Sequence, residues 1–390
     1  MQHALEGSLA IARAVSLCRP QVVSAYPITP QTHIVENLSK LVADGVLDCE
    51  LVSVESEFSA ASVALGAVAA GSRAYTASSS QGILLMSEVL FNIAGLRVPL
   101  VLTCANRAVS APLSIWNDQQ DSMAVRDAGW IQLYCADNQE AVDTTIQAFR
   151  IAEQCELPVM VCVDGFTLTH TLEVLDMPDQ QQVDDFLPAF SFARRLDPAN
   201  PLSVGTLVSP EFFTETRHDH HQALLDSADA IVQAQRDWLE ISGRDTGGLL
   251  RCEGPEHATT GILTLGSIAG TLQEAIEEHG GGTPARLITL RAFRPFPEQV
   301  LRDACRGLER LIVVERALSP GAGGIVGTEV RAALGAMQKP PQVFNFAVGL
   351  GGRDVPLEIY SHLLEAVDRG RGVGFDILDL DTGKLPAEAS

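Results

Sequence analysis

Short apolar runs alternate with helix-length segments along the first 166 residues. Runs of this length are typical of buried strands, and the longer segments between them have helical spacing. The predicted strands are 22–26, 51–54, 73–76, 98–103, 131–135 and 158–163, and the predicted helices between them are 32–42, 57–70, 82–94 and 138–154. This alternation predicts a parallel sheet with crossover helices, which places ligands at the carboxyl ends of its strands.

The alternation stops at residue 167 and returns near residue 261. Residues 167–255 contain acidic, glutamine-rich and proline-rich stretches and one convincing helix, at about 210–241, so we predict a connecting segment that wraps the surface or a partner. The pattern therefore predicts an α/β fold of two doubly wound domains. The predicted boundaries are 1–170, a connecting segment 171–255, a second domain 256–368 and a C-terminal arm 369–390.

Composition narrows the class of partner. The chain has 390 residues, 46% of them hydrophobic, and a formal net charge of -22, which opposes binding to nucleic acid or to an anionic membrane surface. It has no apolar run of membrane-spanning length, and residues 1–16 lack a leader pattern, so we expect a cytoplasmic protein. The eight cysteines are spread singly without a C-x-x-C pair, which predicts reduced, buried thiols rather than a metal or cluster site.

Glu57 is the first candidate for chemistry. It begins a segment of small and apolar residues that must pack closely on all sides, where a carboxylate is poorly solvated. The alternative is a structural acid stabilised by the helix dipole, which contributes about 0.3–1 kcal/mol. Glu55 is a second candidate carboxylate.

Thr29 and Arg107 follow two other predicted strands. Thr29 lies in the run Pro-Ile-Thr-Pro, whose prolines restrict the backbone and hold the hydroxyl; a simple strand-to-helix turn explains the same prolines. Arg107 can bind a carboxylate through parallel hydrogen bonds. The alternative for Arg107 is a salt bridge at the rim with Asp118 or Asp121.

Several motifs occur together in order along almost the whole chain. They are Tyr26 to Thr32, Glu55 to Ala61, Thr76 to Gly82, Asn106-Arg107-Ala108, Trp116-Asn117-Asp118, Val163 to Thr167, Leu265-Gly266-Ser267 and Leu290 to Pro297. In this register the chain resembles the alpha subunit of pyruvate:ferredoxin oxidoreductase. The resemblance implies a thiamine diphosphate pyrimidine-binding domain followed by a domain similar to the C-terminal domain of transketolase, with the last two motifs in the second domain.

The resemblance also implies roles for individual residues. Glu57 corresponds to the glutamate that hydrogen-bonds the aminopyrimidine ring of thiamine diphosphate, and Pro27, Leu113 and Ile115 to residues beside the cofactor. Thr29 and Arg107 correspond to residues that contact the carbonyl and carboxylate of the substrate. The implied activity is oxidative decarboxylation of pyruvate to acetyl-CoA, with coenzyme A as co-substrate and ferredoxin as electron acceptor.

The chain contains no Gly-Asp-Gly motif, which thiamine enzymes use to hold the diphosphate through Mg²⁺. We therefore expect a beta subunit that provides Mg²⁺ and [4Fe-4S] clusters, with gamma and delta subunits or their equivalents. Gln119 stands where members of the family often have histidine, and the stretch Ser319-Pro320-Gly321 also departs from the pattern. These departures leave open another 2-oxoacid, such as an aryl-glyoxylate, oxalate or 2-oxoglutarate. A non-redox thiamine half-subunit and a non-catalytic scaffold are further alternatives.

Two weaker patterns have structural interpretations. The glycine-rich stretch 321–327 places Val326 where a dinucleotide fingerprint requires its third glycine, so we interpret the stretch as a tight turn into a helix. His218, His220 and His221 lie on the predicted helix of the connecting segment, where we interpret them as a solvated face rather than a metal site.

Overall fold

The computed structural model describes residues 2–279 and 284–385. The chain divides into two units, one reaching to Arg251 together with Leu290–Pro297, the other consisting of Cys252–Thr289 and the chain from Glu298 onward. The described strands are β1 (Gln2–Glu6), β2 (Val22–Ala25), β3 (Glu50–Ser53), β4 (Ala74–Ser78), β5 (Val101–Asn106), β6 (Ile131–Tyr134), β7 (Val159–Asp164), β8 (Leu172–Asp176), β9 (Leu250–Glu253), β10 (Thr260–Thr264), β11 (Ala285–Leu290), β12 (Ala292–Arg294), β13 (Arg310–Glu315), β14 (Gln342–Ala347) and β15 (Asp376–Ile377).

The described residues form thirteen α-helices, and those predicted at 32–42, 57–70, 138–154 and 210–241 begin and end close to the predicted positions. They are α1 (Gly7–Leu17), α2 (Thr32–Ala43), α3 (Glu57–Ala69), α4 (Ser80–Leu85), α5 (Ser87–Gly95), α6 (Gln120–Ala124), α7 (Asn138–Cys155), α8 (Gln180–Phe186), α9 (Pro210–Ser242), α10 (Ile268–His279), α11 (Glu298–Ala304), α12 (Val326–Leu334) and α13 (Ile359–Asp368). The single helix predicted at 82–94 is two helices, α4 and α5, separated at Met86. No helix in the described part of the chain is long and apolar enough to span a membrane.

The main sheet of the first unit has seven strands in the order β12-β6-β7-β5-β4-β2-β3. Strands β2 to β7 pair in parallel, and β12 pairs antiparallel with β6 at one edge. The chain passes from β2 to β3 on one side and then returns to place β4 on the other side of β2. The carboxyl ends of β2 and β4 therefore flank a switch point, where open α/β sheets bind their ligands.

Residues 172–242, within the predicted connecting segment, are grouped with the first unit. Strand β8 pairs antiparallel with β1, an association that the sequence pattern does not predict. Helix α9 packs on α7, and Trp238 of α9 is fully buried against Phe186 of α8, with ring centroids 5.1 Å apart. The interpretation of three solvated histidines on α9 is wrong for His220, which is buried against Gly129, while His218 and His221 are exposed.

A buried ion pair holds the segment that includes β12. The resemblance assigns residues 290–297 to the second domain, but this segment belongs to the first unit. The guanidinium of Arg291, 1% exposed, pairs with the Glu140 carboxylate and donates to Thr144 Oγ1 at 2.8 Å. Burial raises the pKa of Glu140, and Arg291 opposes that shift. The ion pair therefore fixes this segment beside the first residues of α7.

The second unit has its own parallel sheet and core. Strand β10 pairs in parallel with β11 and β13, β13 with β14, and β14 with β15. Strand β15 comes from the predicted C-terminal arm, whose residues 386–390 lie outside the described residues.

The described cysteines are free; five are buried, as predicted, whereas Cys49 and Cys155 are half-buried and Cys252 is exposed.

We predict that Arg291→Met lowers the free energy of unfolding by about 3–5 kcal/mol, because it leaves the Glu140 carboxylate buried without its cation. The exposed pair between Arg371 and Asp376 provides a control, since Arg371→Gln should change stability by only about 0–1 kcal/mol. Chemical denaturation of the full chain measures both. Equal effects of the two substitutions would contradict the assigned role of Arg291.

Candidate active site

The candidate residues lie after the carboxyl ends of neighbouring strands in the first unit. Thr29 follows β2, Glu57 begins the helix after β3, the turn 79–82 follows β4, and Arg107 follows β5. Because these strands are parallel, their carboxyl ends lie on one edge of the sheet. Hydrogen bonds and close packing link these residues around the turn 79–82, which leads into α4.

Glu57 is a buried carboxylate at the first position of α3. Ser56 caps this helix, with its hydroxyl accepting from the Ser59 amide at 3.2 Å. Glu57 is only 7% exposed, yet its side chain makes no hydrogen bond with any residue that the structure describes. Each of the other buried acids accepts a hydrogen bond from the chain: Asp118, Asp121, Glu140, Asp143, Asp164 and Glu315.

Glu57 thus differs from the other buried acids of the described residues, and its free carboxylate makes it a candidate functional group. Glu55, the alternative carboxylate, is exposed and accepts from the Ser59 hydroxyl. The two acids therefore have different environments, and Glu57 is the buried one.

Gly82 and Ser78 form a wall against the Glu57 side chain. A Cβ atom added at Gly82 would lie 2.3 Å from Ser78 Oγ and 2.7 Å from Glu57 Oε1. Ser78 Oγ is itself buried without a hydrogen-bond partner. Glycine at position 82 therefore leaves room for the carboxylate, which lies between the start of α3 and the turn into α4.

Arg107 is buried, and its guanidinium donates only to neutral oxygen atoms of the described residues. Nη1 donates to the Thr29 carbonyl at 2.7 Å, Nε to the Ser114 carbonyl at 3.2 Å and Nη2 to Gln81 Oε1 at 3.4 Å. The salt bridge with Asp118 or Asp121 that we considered is not formed by this guanidinium. Burial lowers the pKa of Arg107 and the Asp121 carboxylate opposes the shift, but arginine stays protonated near neutral pH. One N–H on each Nη remains for a carboxylate ligand.

Asp121 organises this edge of the sheet, and sequence reasoning missed that role. Its buried carboxylate accepts from the backbone amides of Ser80 at 2.8 Å and Arg107 at 3.0 Å, and from Asn106 Nδ2 at 2.8 Å. Burial raises the pKa of Asp121, and these donors, with the Ser122 amide, oppose the shift. One carboxylate thus joins the ends of β4 and β5.

Gln31 holds the loop that carries Thr29, a second role that sequence reasoning missed. Its buried amide donates from Nε2 to the Ala77 carbonyl at 2.8 Å and accepts from the Ile28 amide at 3.2 Å. The Thr29 side chain is exposed beside this loop, while its carbonyl accepts from Arg107. The structure therefore brings Thr29 and Arg107 into contact, as a shared substrate site requires.

The loop between Arg107 and α6 carries the remaining predicted residues. Leu113 and Ile115 are 74% and 39% exposed, and Pro27 is exposed on the β2 loop. Trp116 stacks on Phe166, with ring centroids 4.6 Å apart. Gln119, which departs from the family pattern, is buried and donates to Asp164 Oδ1 at 3.0 Å. The Gln119 side chain therefore points to the carboxyl end of β7.

The glycine-rich stretch of the second unit is a turn into α12, as interpreted. Glu315 Oε2 accepts from the amides of Ile325 and Val326, both at 2.8 Å, and Oε1 accepts from the Gly327 amide at 3.1 Å. A carboxylate of the chain therefore takes the amides that a phosphate would need, which explains why this turn is not a dinucleotide loop.

Known structures have the same fold. A 2-oxoglutarate:ferredoxin oxidoreductase from Magnetococcus marinus aligns with a TM-score of 0.71 and 20% identity over 93% of this chain and 65% of its own. A split-gene transketolase aligns with a TM-score of 0.56 and 14% identity over 95% of this chain and 100% of its own. These two similarities show the fold, and the predicted fold class of two α/β domains is confirmed.

Sequence comparison identifies the family. Residues 13–236 match the model described as "Pyruvate flavodoxin/ferredoxin oxidoreductase, thiamine diP-bdg", and residues 258–359 match "Pyruvate:ferredoxin oxidoreductase core domain II". The pyruvate synthase subunit PorA of Methanosarcina barkeri is 42% identical over 96% of this chain and 94% of its own, and that of Methanothermobacter thermautotrophicus is 44% identical over 94% of both. The ketoisovalerate oxidoreductase subunit VorA of Pyrococcus abyssi is 39% identical over 91% of this chain and 90% of its own.

The chain belongs to the pyruvate:ferredoxin oxidoreductase family. The predicted resemblance to the alpha subunit of this family, and with it the assignment to the oxidoreductases, is confirmed. The predicted domain boundaries and site residues stay predictions.

We predict that Gly82→Ala displaces the Glu57 carboxylate, because the added Cβ would overlap both Glu57 and Ser78. Such overpacking should cost about 1–3 kcal/mol of stability. Gly66→Ala, in the interior of α3 with open space around its Cβ position, is the matched control and should stabilise the chain by up to about 1 kcal/mol. Thermal denaturation of both variants is the measurement, and equal stability of the two would refute the proposed wall.

Proposed function

We propose that this chain is the alpha subunit of a pyruvate:ferredoxin oxidoreductase and carries one half of its active site. The proposed reaction cleaves the bond between the carboxylate and the carbonyl carbon of pyruvate. It joins the acetyl group to the sulfur of coenzyme A, releases CO₂ and a proton, and transfers an electron pair to ferredoxin. The names of the most similar relatives support pyruvate as the substrate.

The observation that carries the proposal is the buried Glu57 carboxylate without a hydrogen-bond partner among the described residues. It fits a ring nitrogen of thiamine diphosphate, because a carboxylate at this position can accept or release a proton at a bound heterocycle. The dipole of α3 favours the negative charge. Bound thiamine diphosphate supplies the electron sink for the loss of CO₂.

Arg107 and Thr29 are proposed to bind the 2-oxoacid. The hydrogen bonds of Arg107 to Thr29, Ser114 and Gln81 hold the guanidinium in one orientation, so that its free N–H groups can bind the substrate carboxylate. The exposed Thr29 hydroxyl is then positioned for the carbonyl or carboxylate oxygen. A fixed arginine lowers the entropic cost of orienting the substrate.

Large apolar side chains are exposed on the segments that carry this half-site. Their exposed fractions are 37% for Tyr26, 40% for Phe58, 74% for Leu113, 39% for Ile115 and 52% for Trp116. Exposed aromatic and apolar side chains in such number favour an interface with another protein. We propose that a beta subunit covers this surface and provides Mg²⁺ and [4Fe-4S] clusters, that gamma and delta subunits or equivalents complete the complex, and that the enzyme is cytoplasmic.

Other 2-oxoacids present the same carbonyl beside a carboxylate, so the contacts of Thr29 and Arg107 do not select among them. The relative named as a ketoisovalerate oxidoreductase subunit supports a branched substrate as a second candidate.

The deciding experiment is anaerobic reduction of viologen dye by the chain co-expressed with its partners. It compares pyruvate, 2-oxoisovalerate, 2-oxoglutarate, phenylglyoxylate and oxalate, each with and without coenzyme A. Reduction that depends on pyruvate and coenzyme A supports the proposal, and turnover with another acid alone would reassign the substrate.

We predict that Glu57→Gln lowers turnover by about 10²–10⁴-fold, the usual contribution of a group that transfers a proton. The substitution keeps the shape of the side chain, so assembly with the partner subunits should persist. Glu55→Gln is the matched control, because Glu55 is exposed and two residues away. Dye reduction and size-exclusion chromatography measure activity and assembly. Unchanged turnover in Glu57→Gln would favour the scaffold alternative.

We predict that Arg107→Lys raises the KM for the 2-oxoacid by at least about tenfold, because lysine cannot form two parallel hydrogen bonds with a carboxylate. Arg126→Lys is the control, since the Arg126 guanidinium donates to the Met123 carbonyl rather than to the Thr29 loop. Steady-state kinetics separate KM from kcat. An unchanged KM in Arg107→Lys would remove Arg107 from the substrate site.

A further inference from the structure

Glu6, His33 and His170 form a cluster outside the site described above. One ligand atom from each of these residues lies within 4.8 Å of the other two. His33 Nδ1 is 2.7 Å from Glu6 Oε1, and the rings of His33 and His170 have centroids 4.5 Å apart. The residues come from three distant parts of the sequence: the end of β1, the start of α2 and the turn that precedes β8.

Backbone contacts hold the turn that carries His170 against the start of α1. The Thr169 carbonyl accepts from the Ser8 amide at 2.9 Å and from the Ser8 hydroxyl at 2.7 Å, and the Gly7 amide donates to the Thr171 carbonyl at 3.1 Å. A Cβ at Gly7 would lie 2.2 Å from the Leu168 carbonyl oxygen, so this approach requires glycine. The positions of Glu6 and His170 are therefore set by the fold rather than by their side chains.

A hydrogen bond to the preceding residue also orients the His170 ring. Its Nδ1 lies 2.8 Å from the hydroxyl oxygen of Thr169, which is fully buried and accepts from the Phe166 amide at 2.9 Å. Metal-binding histidines usually have such a hydrogen bond on the second ring nitrogen.

We propose that Glu6, His33 and His170 bind a divalent transition metal, with Zn²⁺ as the preferred ion. Two imidazoles and one carboxylate are a donor set that suits zinc and leaves a coordination position for water, whereas Mg²⁺ prefers an all-oxygen shell. The side chains of His33 and Glu6 are 44% and 31% exposed, so the ion has a path to the site. The competing explanation is an ion pair between His33 and Glu6 that needs no metal.

The test is a calorimetric titration of the chelator-treated full-length chain with Zn²⁺ and, separately, with Mg²⁺. We expect one zinc ion per chain at this site and no comparable binding of Mg²⁺. Replacing a ligand, in His33→Gln or His170→Gln, should weaken the affinity for zinc by at least about 100-fold. Thr169→Val, which removes the hydrogen bond to His170 together with the acceptor of the Phe166 amide, should weaken it by about 10–100-fold. Visible absorption of added Co²⁺ reports the donor set independently and should change in the same variants.

The exposed His218 and His221 provide the matched control, because they can bind zinc weakly on the surface of α9. The double variant with His218→Gln and His221→Gln should retain the zinc affinity of the natural chain. Circular dichroism verifies that each variant is folded. The proposal is overturned if the natural chain binds no zinc, if His33→Gln and His170→Gln bind it unchanged, or if binding disappears in the α9 variant.

Discussion

The arrangement of the candidate site depends on the buried carboxylate of Asp121. Parallel strands end in backbone amides without a sheet partner, and a buried amide without a partner is costly. Asp121 accepts from the amides that follow β4 and β5, at Ser80 and Arg107, and from Asn106 at the end of β5. The same carboxylate therefore fixes both the backbone of Arg107 and the start of α4, which carries Gly82. The turn beside Glu57 and the backbone that carries the Arg107 guanidinium are thus held by a carboxylate that hydrogen-bonds neither the Glu57 nor the Arg107 side chain.

The periodicity of apolar residues predicts the parallel strands of the first unit because each is buried and flanked by turn signals. It does not predict β1 and β8, whose alternate residues Ala4, Leu172 and Val174 remain exposed. It does not predict β12 either, because an ion pair between residues 151 apart in sequence, Glu140 and Arg291, decides where that strand lies. Local patterns carry no information about such long-range pairs.

The site could be predicted only in part, for a related reason. Glu57 stands out in the sequence because a charged residue begins a helix of small residues, and the structure buries it. Arg107 stands out less, and its partners are carbonyl and amide oxygens from three other segments, which no spacing rule indicates. Gln31 and Asp121 look like ordinary polar loop residues until the fold surrounds them. Their roles follow from burial, which the sequence shows poorly for polar side chains.

Glu57 differs from the other buried acids in a way that links cofactor binding to assembly. Glu57 is 7% exposed and has no hydrogen-bond partner among the described residues, so its carboxylate can accept a hydrogen bond from a ligand. The large apolar side chains on the segments that carry the candidate site, from Tyr26 to Trp116, are likewise exposed until another surface covers them. Under the proposed function, binding of one partner subunit meets both needs. The partner that provides the diphosphate site also covers the apolar side chains and closes the pocket around Glu57. A ligand that binds only the assembled state stabilises that state in proportion to its occupancy. Cofactor and partner should therefore strengthen each other's binding, and the half-site in this chain is the physical origin of that coupling.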